Sequence, residues 1–134
     1  MVEDDRDINE LVCYNLFKKG YKPTSIFDGN EAQDAFAHEH FDVVVLDLML
    51  PGLDGITLCR QIKQQPRGGQ TYVIVLTART DPSDRMRAYL AGADIYMTKP
   101  FCIDALVEAV EGSHCFLSQD SLIQQGITEN GERR

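Results

Sequence analysis

A run of four aliphatic residues, VVVL at positions 43 to 46, limits the possible folds of this chain more than any other feature. No polar residue alternates with these side chains, so both faces of the segment must be buried, as in a central strand of a parallel sheet. Asp47 follows at once. Burying an isolated carboxylate is costly, so Asp47 either caps the turn at Pro51 and Gly52 or has a charged partner.

The rest of the chain alternates between strand-like and helix-like segments. Helical spacing of apolar residues predicts five helices, and four further runs predict strands. The predicted helices cover about 7–20, 30–39, 56–64, 81–91 and 103–116, and the predicted strands cover 21–27, 43–46, 72–76 and 95–97. Only Met1 and Val2 remain for a first strand, so we expect that strand to be truncated or to begin upstream of residue 1. The alternation predicts a flavodoxin-like α/β fold, a doubly wound parallel sheet of five strands between two helical layers.

Composition narrows the class of protein. The 134 residues fit one domain, and a net charge of −8 argues against a nucleic-acid surface, which needs clustered Lys and Arg. The four cysteines are irregularly spaced without a CxxC pair, which favours free thiols in a reducing compartment. No apolar run is long enough to span a membrane, and the acidic N-terminal region is unlike a signal peptide. We therefore expect a cytoplasmic protein that binds neither membrane nor nucleic acid directly.

Polar residues stand at the carboxyl ends of four predicted strands: Glu3 and Asp4, Asp47, Thr77 and Lys99. The carboxyl ends of parallel strands share one edge of the sheet, where ligands of such folds bind. Two carboxylates about 4 Å apart repel by about 4 kcal/mol at an effective dielectric constant near 20, so a cation or a proton must join the three acids. An oxygen-only site suits Mg²⁺. A carboxylate nucleophile, Mg²⁺, a lysine and a hydroxyl are the groups needed to receive a phosphoryl group.

Other uses of such a sheet fit less well. A flavin site needs a small, hydroxyl-rich loop after the first strand, where this chain has acids. A phosphatase that forms an aspartyl phosphate usually carries a second acid two residues after the nucleophile, and Met49 occupies that position. The chain has no GxxxxGK[ST] motif for a P-loop. His38 and His40 are two residues apart, so they point in different directions and favour a solvated helix end over a metal site.

The strand-end motifs together resemble the response regulator receiver domains of two-component signalling. They are EDD at 3–5, VVVLDLMLPGLDG at 43–55, VLTAR at 75–79 and GADIYMTKPF at 92–101. The resemblance covers residues 1–117. Residues 118–134 are then a tail, or a linker toward an output domain.

This resemblance implies a role for each site residue. Asp47 would be the phosphoacceptor, and Asp4, Asp47 and the Met49 carbonyl would bind Mg²⁺, with Glu3 acting through water. Lys99 would pair with phosphoryl oxygens. Thr77 and Tyr96 would be the switch residues that respond to phosphorylation. The Lys99–Pro100 peptide bond is expected to be cis.

The resemblance also implies partners. The phosphoryl donor would be a sensor histidine kinase or a phosphotransfer protein, and the fourth helix, last strand and fifth helix would contact an output domain or downstream protein. Arg85 and Arg87 on the fourth helix fit either a partner contact or a solvated face. Receivers linked to winged-helix domains often dimerise through charges on this surface, but this chain has Ile95, Ala109 and Glu111 at three of those positions. We therefore do not expect this chain to form the symmetric dimer of those receivers.

Three functions remain open at this point. The first is a phosphorylation-dependent switch that catalyses its own phosphorylation and slow dephosphorylation but has no other enzymatic activity. The second is a receiver-like interaction module that no longer needs phosphate, which the complete set of site residues argues against. The third is a hydrolase that turns phosphate over rapidly, which Met49 argues against.

Overall fold

A computed structural model describes the backbone of residues 1–124 and the side chains through Ser113, apart from position 68. In these residues three strands alternate with five helices and a short 3-10 turn. The strands are β1 (Val43–Leu46), β2 (Tyr72–Thr77) and β3 (Ile95–Thr98). The helices are α1 (Arg6–Lys18), α2 (Gly29–His38), α3 (Gly55–Gln64), α4 (Pro82–Leu90) and α5 (Ile103–Gln124), and the 3-10 turn is Gly68–Gln70.

The sheet is parallel throughout. β2 lies in the middle, with Leu46 of β1 opposite Val75 and Tyr96 of β3 on the other side of Val75. Two parallel single-residue bridges extend the sheet beyond β1, from Leu46 to Val2 and from Val2 to Ile26. The order across the sheet is therefore Ile26, Val2, β1, β2, β3, which is the flavodoxin-like order that the alternating pattern predicted.

The first two predicted strands are much shorter than the other three. The strand predicted at 21–27 is wrong in its extent, because only Ile26 forms a bridge. The physical reason is the lack of a partner: only Val2 lies opposite, and Pro23 has no N–H to donate. The first strand is likewise represented by Val2 alone, in keeping with the two apolar residues that the sequence offers there.

Two apolar layers enclose the sheet. Successive residues of a strand point to opposite faces, so Val44 and Leu46 pack with α2, α3 and α4, while Val45 packs with α1 and α5. Both faces of β1 and β2 are buried, as the unbroken aliphatic runs predicted. None of the helices in the described residues combines the length and the apolar composition needed to cross a bilayer.

The last helix extends further than predicted. α5 continues to Gln124, past the predicted end near residue 116, and neither proline nor glycine occurs between Gly112 and Gln124. The remainder of the predicted tail, 125–134, lies outside the described residues.

Gly55 holds the loop after β1 against the start of α3. A Cβ atom at this position would lie 2.5 Å from the Leu48 Cα and 2.8 Å from the Asp47 carbonyl oxygen. Both are backbone atoms, so no side-chain rotation could relieve the contact. The loop that carries Asp47 therefore depends on a glycine here.

We predict opposite effects for two glycine substitutions. Gly55→Ala should lower the free energy of unfolding by about 1–3 kcal/mol, because the new methyl group must displace the backbone of this loop. Gly112→Ala, at a position in α5 with nothing within 4 Å of the new methyl group, should raise it by up to about 1 kcal/mol through helix propensity. Urea denaturation of both variants measures these changes. Equal stability of Gly55→Ala and the parent protein would contradict the packing described.

Candidate functional site: an acidic cluster bridged by a lysine

The acids predicted to converge do so at the carboxyl edge of the sheet. Val2 pairs beside Leu46, and the Asp47 N–H donates to the Val2 carbonyl at 3.0 Å. This pairing places Glu3 and Asp4 next to Asp47. Glu3, Asp4 and Asp47 each offer a carboxylate oxygen, and these oxygens lie within 4.8 Å of one another. Glu3 and Asp47 are buried, with 1% and 5% of their surfaces exposed, whereas Asp4 is exposed.

Lys99 joins the two buried acids. Its ammonium group donates to Asp47 Oδ2 at 2.9 Å and also to Glu3 Oε1. The Lys99 N–H donates to the Thr77 carbonyl at 2.8 Å, which fixes the start of the side chain beside the end of β2. The Lys99–Pro100 peptide bond is cis, as predicted.

Burial and hydrogen bonding shift the pKa values of the charged groups at this site in opposite directions. Burial raises the pKa of Glu3 above its usual range, although the hydrogen bond from Lys99 acts in the other direction. Burial alone would lower the pKa of Lys99, but its hydrogen bonds to Glu3 and Asp47 outweigh this and raise it. The ammonium charge is therefore retained over the physiological pH range, between two carboxyl groups that have little access to water.

Backbone amides and one buried amide side chain orient the acids. The Asp5 N–H donates to Glu3 Oε2 at 3.1 Å, and the Met49 N–H donates to Asp47 Oδ1 at 3.0 Å. Asn9, fully buried in α1, donates from Nδ2 to the carbonyls of Glu3 and Ile26, each at 3.0 Å. No role for Asn9 was predicted from the sequence. The available signal was its polarity one turn before the inward-facing Val12 and two turns before Leu16.

The two predicted switch residues both contact the backbone of Arg79. Thr77 is buried at the end of β2, and its Oγ1 accepts a hydrogen bond from the Arg79 N–H at 3.4 Å. The Tyr96 hydroxyl donates to the Arg79 carbonyl at 3.0 Å, so this ring is turned inward. The Arg85 guanidinium lies 4.8 Å above the Tyr96 ring centroid. Arg79 therefore links Thr77 to Tyr96, a role that no pattern in the sequence indicated.

The donor set fits a hard divalent cation. Among the described residues, one group of at least three potential ligand side chains comes together. Its members are Glu3, Asp4 and Asp47. All three offer oxygen, the ligand type that Mg²⁺ and Ca²⁺ prefer. The backbone of Met49 is adjacent, since its N–H is bonded to Asp47. Lys99 supplies a single positive charge for this cluster, so a cation bound near Asp4 would reduce the remaining repulsion.

Comparison with known proteins then decides the family. Residues 1–111 match the family model described as the response regulator receiver domain. The chain belongs to the response regulator receiver domains. Members of this family are phosphorylation-dependent signalling switches, and the family assignment confirms the fold class expected from the strand-end motifs.

Individual relatives support the assignment. The phosphate regulon transcriptional regulatory protein PhoB of Rhizobium meliloti (strain 1021) is 39% identical over 111 residues, which cover 83% of this chain and 49% of that protein. The chain thus spans about half the length of this relative. The BeF3-activated receiver domain of DrrB, a Thermotoga maritima protein, is 36% identical with a TM-score of 0.76, over 84% of this chain and 92% of that one.

A more distant structure shows the same fold. A response regulator protein from Burkholderia pseudomallei, 22% identical, aligns with a TM-score of 0.73 over 90% of this receiver and 71% of its own chain. That structure is described as containing a phosphorylated aspartic acid and a calcium ion. At this level of identity the likeness concerns the fold.

We predict that Lys99→Met makes the stability of the receiver more dependent on pH. Without the ammonium group, only the hydrogen bond from the Asp5 N–H opposes the effect of burial on Glu3, so the pKa of Glu3 in the folded protein should rise further. A carboxyl group with a raised folded pKa contributes stability below its unfolded pKa and loses that contribution as pH rises through the folded pKa. The free energy of unfolding of Lys99→Met should therefore fall by about 2 kcal/mol relative to that of the parent between about pH 5 and pH 8.

Urea denaturation across this pH range measures the loss. Lys19→Met, at an exposed position at the end of α1, is the matched control and should follow the parent curve. Parallel curves for Lys99→Met and the parent would show that Lys99 does not stabilise the buried acids.

Proposed function

We propose that Asp47 is the phosphoacceptor of this receiver and that a phosphohistidine on a sensor kinase or phosphotransfer protein is the donor. The observation that carries the proposal is the contact between the Lys99 ammonium group and Asp47, with Glu3 and Asp4 beside it. A lysine at this point can form an ion pair with the oxygens of a phosphoryl group bound to Asp47. The neighbouring carboxylates can act as ligands for a metal ion.

The reaction requires little of the protein beyond positioning and charge. A carboxylate oxygen of Asp47 attacks the phosphorus, the new O–P bond forms, and the P–N bond to the donor imidazole breaks, with the imidazole taking up a proton. The Met49 N–H holds one carboxylate oxygen at 3.0 Å, which restricts rotation of the nucleophile. Lys99 would then transfer its hydrogen bond from the Asp47 carboxylate to a phosphoryl oxygen.

The proposed metal is Mg²⁺, held by Asp4, Asp47 and the Met49 carbonyl, with Glu3 acting through water. When bound, Mg²⁺ would supply positive charge to the phosphoryl oxygens. Asp4 is the exposed member of the three acids, so it can exchange water for a cation without disturbing the core. Glu3 is bound by Lys99 and by the Asp5 N–H, which favours an indirect role for it.

The proposed switch is a local exchange of hydrogen bonds. Phosphorylated Asp47 gains acceptor oxygens, and the Thr77 hydroxyl can donate to one of them. Because Thr77 Oγ1 accepts from the Arg79 N–H and Tyr96 donates to the Arg79 carbonyl, movement of Thr77 would alter the support of Tyr96. The output surface proposed here is formed by α4, β3 and α5. On α4, Met86 and Leu90 expose 60% and 79% of their surfaces, so this surface has apolar area available for a partner.

Three further properties belong to the same proposal. The receiver catalyses its own phosphorylation and slow dephosphorylation, because the groups that stabilise the transferred phosphoryl group belong to its own chain. Its partner in output is an attached domain or a separate protein, as the similarity to a transcriptional regulatory protein favours. The thiols of Cys13, Cys59 and Cys102 are free, which favours a cytoplasmic location.

The test is phosphorylation by acetyl phosphate in the presence of Mg²⁺. Intact-mass spectrometry should show one added phosphoryl group on the parent protein and none on Asp47→Asn, since the amide is not a nucleophile. Asp42→Asn, at an exposed position just before β1, is the matched control and should be phosphorylated like the parent. Omission of Mg²⁺ should slow the reaction by at least about tenfold.

The same experiment distinguishes the competing functions. No adduct on the parent protein under any condition would contradict the proposal and favour an interaction module that does not need phosphate. Continuous release of phosphate at enzymatic rates would favour a hydrolase. An adduct that persists on Asp47→Asn would place the phosphoacceptor elsewhere.

A further inference from the structure

Asn9 is a polar residue on the buried side of α1, in the first turn of the helix. None of its surface is exposed, so an amide without partners here would be costly. Both polar atoms of the side chain have partners. Nδ2 donates to backbone carbonyls, and Oδ1 accepts from the Cys13 thiol at 3.4 Å. The contacts of Asn9 with the backbone therefore account for an amide at a position where the helix would otherwise bury an apolar residue.

The amide of Asn9 contacts three carbonyls around the bridge between Val2 and Ile26. Its Nδ2 lies 3.2 Å from the Met1 oxygen and 3.0 Å from the oxygens of both Glu3 and Ile26, so two N–H groups are shared among three acceptors. The backbone already uses two of these carbonyls, since Ile26 donates to Met1 and Glu3 donates to Ile26. The Glu3 carbonyl points to the same side as that of Met1, because the two residues are two apart in an extended chain.

The Glu3 carbonyl belongs to the peptide unit that joins Glu3 to Asp4. A peptide unit is planar, so a hydrogen bond that fixes its carbonyl also fixes the direction in which the chain enters Asp4. The backbone N–H of Asn9 donates to the Asp5 carbonyl at 2.9 Å. Asn9 therefore holds the chain on both sides of Asp4, the exposed acid of the cluster.

We propose that Asn9 is a positioning residue that sets the affinity of the acidic cluster for Mg²⁺ by fixing the peptide unit between Glu3 and Asp4. The inference rests on the proposed function, in which Asp4 is a Mg²⁺ ligand. Mg²⁺ requires oxygen ligands in near-octahedral geometry, so a small displacement of a carboxylate weakens its binding. Loss of a hydrogen bond that orients a metal ligand typically lowers metal affinity by about 10–100-fold. Asn9 touches neither the metal nor the phosphoryl group and acts through Asp4.

The test is a Mg²⁺ titration of the full chain and of Asn9→Ala without a phosphoryl donor. The chemical shifts of the Asp4 and Asp5 amides in NMR spectra report the binding. Asn9→Ala should raise the dissociation constant for Mg²⁺ by at least about tenfold. Its rate of phosphorylation by acetyl phosphate at saturating Mg²⁺ should stay within about threefold of that of the parent, because Asp47 and Lys99 are unchanged.

Two further variants separate positioning from stability. Asn15→Ala is the matched control, the same substitution in the same helix at a partly exposed amide that donates to the Leu11 carbonyl. It should bind Mg²⁺ like the parent. Asn9→Ser retains a hydroxyl donor and is the milder change, and it should weaken Mg²⁺ binding by at least about threefold. Each titration is made at a temperature where circular dichroism shows the variant to be fully folded, so that lost stability does not alter the dissociation constant.

The possible failures can be told apart. A dissociation constant equal to that of the parent in folded Asn9→Ala or Asn9→Ser would overturn the inference, while phosphorylation of the parent would leave the proposed function in place. Equal weakening by Asn15→Ala would also overturn it, because the effect would then belong to α1 in general. A parent protein that neither binds Mg²⁺ nor accepts a phosphoryl group would contradict both proposals.

Discussion

The contact of one ammonium group with two buried carboxylates governs the functional end of this receiver. Lys99 lies between Glu3 and Asp47. Burial would strongly disfavour the charged form of any one of these groups without the others. The three charged groups stabilise one another, and together they carry a net charge of −1. Asp4 adds a further negative charge. An additional cation or an incoming group that rearranges the set is therefore accommodated at low cost, which is the physical basis of a switch.

The set depends on backbone pairing some distance from the charges. Glu3 reaches Asp47 because Val2 pairs with Leu46, and Lys99 reaches both because its N–H is bonded to Thr77. The two N–H groups of Asn9 Nδ2 are shared among the carbonyls of Met1, Glu3 and Ile26. The single bridging residue Val2 thus carries much of the alignment that a longer strand would share among several residues.

The parts of this structure that follow from local sequence pattern could be predicted. The unbroken aliphatic run at 43–46 indicated a doubly buried strand, and the strand-end positions of Asp47 and Lys99 indicated one site, because parallel strands share a carboxyl edge. The strand predicted at 21–27 was wrong in its extent, because its pairing depends on the residues opposite it rather than on its own composition. Asn9 and Arg79 were missed for a similar reason: their roles arise from carbonyls and amides brought together by the fold, and side-chain chemistry alone does not reveal them.

The central claim is that Asp47, rather than its acidic neighbours, forms the covalent phosphoryl bond. The most direct measurement is borohydride reduction of the phosphorylated protein, which converts an aspartyl phosphate to homoserine, followed by peptide mass spectrometry. The account predicts homoserine at position 47 and unchanged side chains at Glu3 and Asp4. Reduction at Asp4 or Glu3 with Asp47 intact would contradict it.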